Sequence, residues 1–226
     1  AKFIYINYPN NPTGAVATKA FYEKLVAWAK TYEVGVVSDL AYGALGYQGY
    51  ENPSFLSTPG AKDVGIEFYT FSKTFNMAGW RLAFAAGNDQ MIEALNLIQD
   101  HLFVGIFPAL QEAGIAALLD PKSEEAVAQL NATYDSRRDA FVQAAAKIGW
   151  QAFPSRGSFY AWMPVPEGYT SESFADLLLE KAHVAVAPGK GFGPAGDAYV
   201  RIGLLVEPER LVEAVDRIAN LHLFNN

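Results

Sequence analysis

Short runs of almost entirely apolar residues alternate with segments of helical periodicity in the first half of the chain, and this alternation restricts the fold more than any other feature. A strand that is apolar at nearly every position must be buried on both faces, as parallel strands covered by helices are. We therefore predict an α/β fold with a mainly parallel sheet and helices on both faces. The predicted strands span residues 3–7, 34–39, 66–72 and 81–87.

Two helical regions accompany these strands. The first has apolar residues at helical spacing, which predicts a buried stripe formed by Phe21, Leu25, Trp28 and Tyr32. The second spans about 89–119 and is interrupted near Gly105 and Pro108. Ligands of such sheets collect at the carboxyl ends of the strands, so the polar residues that follow the predicted strands are candidate site residues.

The second half of the chain predicts a smaller α+β domain. The segment DPKSEE after Leu119 indicates a boundary, which gives a division into 1–120, part of a large domain, and 121–226. The predicted elements of the second part are a helix at 123–147, strands near 150–153 and 158–165, a helix at 171–182, strands at 184–188 and 198–205, and a helix from Pro208. The buried stripe of the last helix is predicted to be Leu211, Val215 and Ile218.

Composition excludes several classes of function. The net charge of −7 and the pI near 5.0 argue against nucleic-acid binding, because phosphates require a basic surplus. The absence of cysteine excludes disulfides and thiolate chemistry and fits a cytoplasmic protein. The longest apolar run, at 102–110, is too short to span a bilayer, so we expect no membrane association. No metal site is predicted, because no metal-ligand spacing relates His101, His183 and His222.

The segment YTFSKTFNMAGWR contains a single lysine, Lys73, among hydroxyls, aromatic rings and small residues. A lysine in an apolar setting has a lowered pKa, and its neutral amine can form a Schiff base with a carbonyl substrate or with pyridoxal phosphate. A lysine whose amine reaches from a strand end to water would give the same local pattern. The residue alone does not decide between these two interpretations.

Polar residues near the ends of the predicted strands add a second line of argument. Thr70 and Ser72, with Arg81 further along the chain, provide the hydroxyls and the guanidinium that suit a phosphate. Asp39 ends its predicted strand, where a carboxylate can pair with a protonated ring nitrogen or can cap a helix. Tyr42 and Asn11 can donate hydrogen bonds to a ring oxygen, although singly they suit a core and a turn.

Four segments together carry a resemblance to a known family. YPNNPTG, SDLAYGALGY, FSKTFNMAGWR and YVRIGLL resemble the class I/II, aspartate-aminotransferase-like enzymes of fold type I, which depend on pyridoxal 5'-phosphate. The segments occur in the order and at the spacing of that family. Family members are longer, so the chain resembles their C-terminal portion and is expected to be a fragment. The resemblance implies part of a large cofactor-binding domain followed by a smaller α+β domain.

The resemblance also implies a role for each candidate residue. Lys73 would bind the cofactor covalently and transfer the proton at the substrate Cα. Asp39 would pair with the pyridinium nitrogen, and Arg201 would bind the substrate α-carboxylate in a bidentate manner. Thr70 stands where the family commonly has serine and retains the hydroxyl. The implied ligands of the ring oxygen are Asn11 and Tyr42, and those of the phosphate are Thr70, Ser72 and Arg81.

The implied activity is a ping-pong transfer of an amino group between an amino acid and a 2-oxo acid, by a cytoplasmic homodimer. Within the family the chain is similar to the methionine-salvage transaminases of bacilli, which convert 4-methylthio-2-oxobutanoate to methionine. Diaminopimelate and aromatic aminotransferases remain alternatives. A β-eliminating lyase on the same fold and the aminotransferase-like sensor domain of a transcription regulator are further alternatives.

Other candidates are weaker. The segment GKGFG, at 189–193, resembles a phosphate loop but lacks the strand–loop–helix context, so we predict a flexible connection. Arg156 suits an exposed loop as well as a substrate contact. Phe159 and Tyr160 suit core packing as well as a pocket wall.

Overall fold

The computed structural model describes residues 1–224, which form two compact units. The first unit comprises Ala1–Pro9 and Val16–Leu130, and the second comprises Asn10–Ala15 and the described residues from Asn131 onward. The boundary therefore lies ten residues later than the 120/121 division expected from the sequence, inside a continuous helix that spans Ser123–Lys147. The assignment of the two parts as separate domains stays a prediction.

The first unit is built on a four-stranded sheet in the order β1-β2-β3-β4. The first three strands are parallel and β4 is antiparallel to β3, so the prediction of an α/β fold with a mainly parallel sheet is confirmed. The elements in chain order are β1 (Phe3–Asn7), α1 (Lys19–Tyr32), β2 (Gly35–Asp39), α2 (Ala61–Val64), β3 (Gly65–Thr70), α3 (Phe71–Thr74), β4 (Ala83–Gly87), α4 (Asp89–Leu102) and α5 (Pro108–Leu119). The helix α6 (Ser123–Lys147) follows and crosses the boundary.

The carboxyl ends of β1, β2 and β3 lie at one edge of the sheet. Asn7 pairs with Asp39, and Asp39 pairs with Phe68, two residues before β3 ends at Thr70. The strand predicted over 66–72 is shorter than expected because Thr70 caps α3, so its last two residues are helical.

The buried face of α1 that the sequence predicts is wrong for three of its four residues. Only Leu25 of the predicted set is buried, whereas Phe21, Trp28 and Tyr32 are 38%, 41% and 64% exposed. The helix instead packs a neighbouring face into the core of the first unit, and that face includes the fully buried Ala29. The aromatic residues suggested the wrong face, because the buried face contains the small residue Ala29, which belongs to one apolar cluster with Ile6 and Val36 of the sheet. The buried residues of α1 are Tyr22, Leu25, Val26 and Ala29.

The second unit contains a three-stranded antiparallel sheet in the order β5-β7-β6. The remaining elements are β5 (Tyr160–Pro164), α7 (Ser171–Leu177), β6 (Ala187–Pro188), β7 (Tyr199–Gly203) and α8 (Pro208–Ala219). The strand predicted near 150–153 is not formed; Trp150 is buried there and its Nε1 donates to Pro164 O at 2.7 Å. Burial of Leu211, Val215 and Ile218 on α8 is confirmed.

The predicted helix at 171–182 consists of α7 and a following π-helical turn, Leu178–Ala182. Within residues 1–224, no helix combines the length and the apolar composition that crossing a membrane requires.

Candidate active site

Lys73 lies in α3, immediately after the carboxyl end of β3. Thr70 begins the helix: its Oγ1 accepts a hydrogen bond from the Ser72 amide at 3.2 Å and is hydrogen-bonded to Ser72 Oγ at 3.0 Å. Phe71 and Thr74 are buried on this short helix, while Lys73 is half-buried. The local sequence therefore anchors the helix and holds the lysine at the edge of the sheet where β3 ends.

The backbone next to Arg81 is hydrogen-bonded to the start of α3, through Leu82. The carbonyl of Leu82 accepts hydrogen bonds from the Phe71 amide at 3.1 Å and from Thr70 Oγ1 at 3.3 Å. Arg81 itself has a left-handed backbone, with φ of 56°, and its Nη1 donates to Ala78 O at 2.9 Å. The structure thus brings together the chain segments that carry the three predicted phosphate ligands, and the left-handed residue explains why β4 begins later than predicted.

Asp39 ends β2 and is fixed by hydrogen bonds from two directions. Its Oδ1 accepts from the Ala41 amide at 3.1 Å, and its Oδ2 accepts from the Tyr5 hydroxyl at 3.2 Å. Its backbone carbonyl accepts from Asn7 Nδ2 at 3.1 Å. The pKa of the Tyr5 hydroxyl is raised by partial burial, by the negative charge of Asp39 and by the hydrogen bond that Tyr5 donates to Asp39 Oδ2. The phenol therefore stays protonated and able to donate.

Tyr42 is buried, with 5% of its surface exposed, in the turn that follows β2. The Leu45 amide donates to Tyr42 O at 2.9 Å. The side-chain amide of Asn52 donates to Gly43 O at 3.1 Å and to Leu45 O at 3.0 Å. These bonds fix the backbone on which Tyr42 is carried, so the phenol is placed by the turn and not by a regular element.

Arg201 and Asn11 lie together in the second unit. Arg201 is on the central strand β7, and its Nη1 donates to Asn11 Oδ1 at 2.8 Å. The guanidinium carbon lies 4.2 Å from the centre of the Tyr160 ring and 4.7 Å from the centre of the Phe192 ring. An aromatic ring over a guanidinium face stabilises its charge and leaves the N–H edge open to in-plane partners.

Asn11 is carried by a tight turn that belongs to the same unit. The Gly14 amide donates to Asn10 O and the Asn10 amide to Ala15 O, both at 2.8 Å, and the Arg156 amide donates to Gly14 O at 3.2 Å. Gly14 has a φ of +70°, and a Cβ there would lie 2.0 Å from Ser155 Oγ. The turn therefore requires glycine at this position.

The segment Gly189–Ala198 begins with the stretch 189–193, which the sequence predicted to be a flexible connection. It forms two successive 3₁₀ turns, Gly189–Phe192 and Pro194–Ala198, whose backbones touch. A Cβ on Gly189 would lie 2.2 Å from Gly196 O, and a Cβ on Gly196 would lie 2.1 Å from Gly189 O. These glycines permit close backbone packing rather than mobility.

The residues of the first unit fit a phosphorylated pyridine. A carboxylate accepts up to about four hydrogen bonds, so Asp39 can bind a protonated ring nitrogen besides its two present donors. A guanidinium has five N–H donors, and the bond to Ala78 leaves Arg81 able to bind a phosphate. The Thr70 and Ser72 hydroxyls add the polar contacts that phosphate oxygens accept.

Sequence reasoning missed some of these contacts. Tyr5 was read only as part of a strand, although alternation along β1 places it on the same face as Asn7, next to Asp39. For Tyr160 the sequence does not distinguish core packing from a pocket wall, and it does not indicate the contact between Phe192 and Arg201. Strand alternation is a usable signal for Tyr5, whereas no local pattern indicates the position of Phe192.

Comparison with known proteins agrees with this geometry. The L-glutamine–4-(methylsulfanyl)-2-oxobutanoate aminotransferase of Bacillus subtilis is 59% identical over 224 residues, which are 99% of this chain and 56% of that protein. The LL-diaminopimelate aminotransferase of Moorella thermoacetica is 48% identical over 96% of this chain and 55% of its own length. The apo structure of BacF from Bacillus subtilis is 47% identical and has a TM-score of 0.94, over 100% of this chain and 57% of that one.

The chain thus spans a little over half the length of the relatives it matches. The family described as aminotransferase class I and II matches residues 1–218, nearly the whole chain. The match, the identities and the fold lead to one conclusion: this chain belongs to the class I and II aminotransferase family.

Proposed function

We propose that the protein containing this chain is a pyridoxal-phosphate-dependent aminotransferase. The observation that carries the proposal is the arrangement of Lys73 with the segments of Thr70, Ser72 and Arg81 at the sheet edge where Asp39 ends β2. A lysine amine, a carboxylate and a phosphate-binding donor set are the groups that this cofactor requires. Family membership supports the same activity.

The residues of the first unit would hold the cofactor. Thr70, Ser72 and Arg81 would bind its phosphate, and Asp39 would accept a hydrogen bond from its ring nitrogen and keep that nitrogen protonated. When bound, pyridoxal phosphate supplies an aldehyde for covalent attachment and a ring that takes up the electron pair left at the substrate Cα. Lys73 Nζ would be the point of attachment and, once released by the substrate, the base that removes and returns the Cα proton.

The remaining candidates would set orientation. Tyr42 and Asn11 would hydrogen-bond the ring oxygen, and Arg201 would bind the α-carboxylate through two parallel N–H groups. Binding the carboxylate in one orientation determines which bond at the substrate Cα is broken. Correct orientation of the reacting groups lowers the activation barrier by several kcal/mol, on the order of 7 to 11 in the best cases. Asn11 Oδ1 already receives one N–H of Arg201.

The proposed reaction is transfer of an amino group from an amino acid such as L-glutamine to 4-methylthio-2-oxobutanoate. The relative that is 59% identical has the corresponding name, which supports this substrate pair. Diaminopimelate and aromatic substrates are the alternatives within the same activity, because relatives named LL-diaminopimelate aminotransferase are up to 48% identical. A homodimer in the cytoplasm, with a large cofactor-binding domain and a small C-terminal domain, completes the proposal.

The first test is covalent attachment of the cofactor to Lys73. The purified protein at its natural length is mixed with pyridoxal phosphate, its near-visible absorbance is recorded, and the complex is reduced with borohydride and mapped by peptide mass. We expect a yellow complex and a mass increase on the peptide that contains Lys73. An unmodified Lys73 in folded protein would refute the enzymatic assignment.

The second test separates the alternatives. A panel of amino donors and 2-oxo acids is followed by mass spectrometry of the products. Methionine formed from 4-methylthio-2-oxobutanoate and glutamine supports the proposed reaction, whereas preference for a diaminopimelate or aromatic substrate reassigns the substrate. Pyruvate and ammonia released from a sulfur amino acid would identify a lyase. Cofactor binding without turnover would favour a sensor role.

A further inference from the structure

We propose that Phe192 is a positioning residue for Arg201 and that the segment Gly189–Ala198, far from being a loose connection, holds it in place for carboxylate recognition. The inference rests on the proposed function, because it assumes that Arg201 binds the carboxylate of the substrate. It adds a residue and a structural element to which the sequence assigned no role.

The geometry around the guanidinium is the first argument. Tyr160, from β5, and Phe192 both place their rings within 5 Å of the guanidinium carbon of Arg201, at 4.2 and 4.7 Å. Ring contacts of this kind use the face of the guanidinium and restrict its rotation. Its N–H donors then point along the edge, where Asn11 Oδ1 receives one of them. A planar carboxylate is the ligand that such an edge selects.

The anchoring of the segment is the second argument. Ser171, at the start of α7, is completely buried; its hydroxyl donates to Asp197 Oδ1 at 2.7 Å and accepts from the Lys190 amide at 3.2 Å. The Lys190 ammonium also pairs with Glu172 at 2.6 Å. Both 3₁₀ turns are therefore attached to the first turn of α7, and Phe192 lies between the two points of attachment.

The packing of the ring itself is the third argument. The Phe192 ring meets the buried Trp162 edge to face, at 5.9 Å and 81°, and Trp162 in turn stacks on Tyr199 at 5.2 Å. Trp162 pairs with Arg201 across the sheet. Phe192 is thus supported from behind by a ring on the neighbouring strand, although 41% of its own surface is exposed. Because Phe192 is only partly buried, we infer that its main contribution is to hold the Arg201 guanidinium and not to stabilise the core.

The test measures binding of a carboxylate without any reaction. The probe is 4-methylthiobutanoate, which has a carboxylate but neither an amine nor a ketone, and the protein at its natural length is loaded with cofactor and titrated by calorimetry. We expect Phe192→Leu to weaken binding about 3- to 30-fold, the range that corresponds to loss of one cation–π contact. Phe192→Tyr and Phe192→Trp, which retain a ring, should bind within about twofold of the parent.

Steady-state kinetics provide a second readout. Both the amino acid and the 2-oxo acid carry the carboxylate, so Phe192→Leu should raise both KM values together and change kcat less. The matched control is Phe153→Leu, because Phe153 is in the same unit and is equally exposed, at 42%. This control should leave the probe affinity and both KM values unchanged.

Arg201→Lys separates the inference from the proposed function. If this variant loses probe binding while Phe192→Leu retains it in full, the positioning role is refuted and the proposed function stands. If Arg201→Lys binds the probe as well as the parent does, the carboxylate site is elsewhere, and both the assignment of Arg201 and the positioning role of Phe192 fail, while the covalent test at Lys73 still decides the proposed function. Weakening by Phe192→Leu with recovery in Phe192→Tyr supports both.

Discussion

Arg201 Nη1 donates a 2.8 Å hydrogen bond to Asn11 Oδ1, although 190 residues separate the two in the chain. The bond orients the Asn11 amide, because only its oxygen can accept. It also uses one N–H of the guanidinium, while the ring centres of Tyr160 and Phe192 lie 4.2 and 4.7 Å from the guanidinium carbon. Three side chains of the second unit, Asn11, Tyr160 and Phe192, therefore restrict the Arg201 guanidinium, which is the group proposed to bind the carboxylate.

Replacement of Lys73 by alanine should abolish covalent attachment of pyridoxal phosphate. It should also lower kcat by at least about 10²- to 10⁴-fold, since general acid–base catalysis alone contributes that much. Borohydride trapping and single-turnover kinetics measure the two effects. Lys24→Ala, at an exposed position on α1, is the control and should behave as the parent. Trapping of the cofactor at the same level in Lys73→Ala would contradict the assignment.

Replacement of Tyr5 by phenylalanine removes the hydroxyl that donates to Asp39 Oδ2. Because Tyr5 is 65% exposed, we expect a modest loss of cofactor affinity, about 2- to 10-fold, which corresponds to an ordinary hydrogen bond and lies below the range for a bond to a buried charged group. Equilibrium dialysis against pyridoxal phosphate measures it. Tyr32→Phe, with 64% exposure on α1, is the matched control. Equal affinities in the two variants would show that Tyr5 does not support Asp39.

Replacement of Gly196 by alanine should displace the Gly189–Ala198 segment, because the added Cβ would lie 2.1 Å from Gly189 O. The displacement should weaken binding of 4-methylthiobutanoate about as much as loss of the Phe192 ring does, about 3- to 30-fold. Gly191→Ala is the control, since a Cβ there meets no atom within 4 Å. A normal probe affinity in Gly196→Ala would mean that the two turns can separate without affecting Arg201.

Glu67 is a buried carboxylate that the proposed chemistry does not use. It accepts hydrogen bonds from Ser38 Oγ at 3.0 Å, from the Phe55 amide at 2.8 Å and from Ser54 Oγ. Glu67→Gln places an amide NH₂ against these donors, so we expect a loss of about 1–3 kcal/mol in the free energy of unfolding. Chemical denaturation measures it, with the exposed Glu23→Gln as control. An unchanged stability would show that Gln can be accommodated by rotation of the hydroxyls.

Asp197 should make stability depend on pH at the acidic end. The hydrogen bond from the Ser171 hydroxyl, aided by the charge of Lys190, lowers the pKa of Asp197 below its ordinary value of 3.8. A carboxyl of this kind stabilises the fold above its unfolded pKa, and the stabilisation is lost as pH falls through the folded pKa. The difference in denaturation midpoint between the parent and Asp197→Asn should therefore be constant from about pH 5 to 8, begin to shrink near pH 4, and be lost only as pH falls through the lower folded pKa. A difference that grows on acidification would contradict this sign.

Strand ends were predictable from the sequence because apolar runs stop where the sheet meets solvent. Asp39 ends β2 as predicted, and Thr70 ends β3 two residues earlier than the run suggested, because its hydroxyl caps the following helix. The pairing of Asn11 with Arg201 depends on chain segments far apart in sequence, and only the family resemblance suggested roles for both residues.

Two errors have specific physical causes. On α1, aromatic residues suggested the buried face, but the face that is buried includes the small residue Ala29. In the stretch 189–193, glycines suggested a flexible connection, but Gly189 packs closely against the backbone of Gly196, which lies beyond that stretch. In both places the smallest side chains mark close packing, and composition alone does not distinguish this use of small residues from others.

The membership of Asn10–Ala15 in the second unit bears on the order in which the chain folds. Gly14 O accepts from the Arg156 amide, and Asn11 accepts from Arg201, so this short turn closes two very long loops. Closing a loop costs entropy that grows with its length, and contacts between distant residues slow folding. Synthesis also delivers β7 long after the turn has left the ribosome. We therefore expect the turn to stay without its contacts to Arg156 and Arg201 until late in folding. The hydrogen bond from Arg201 to Asn11 should form among the last steps.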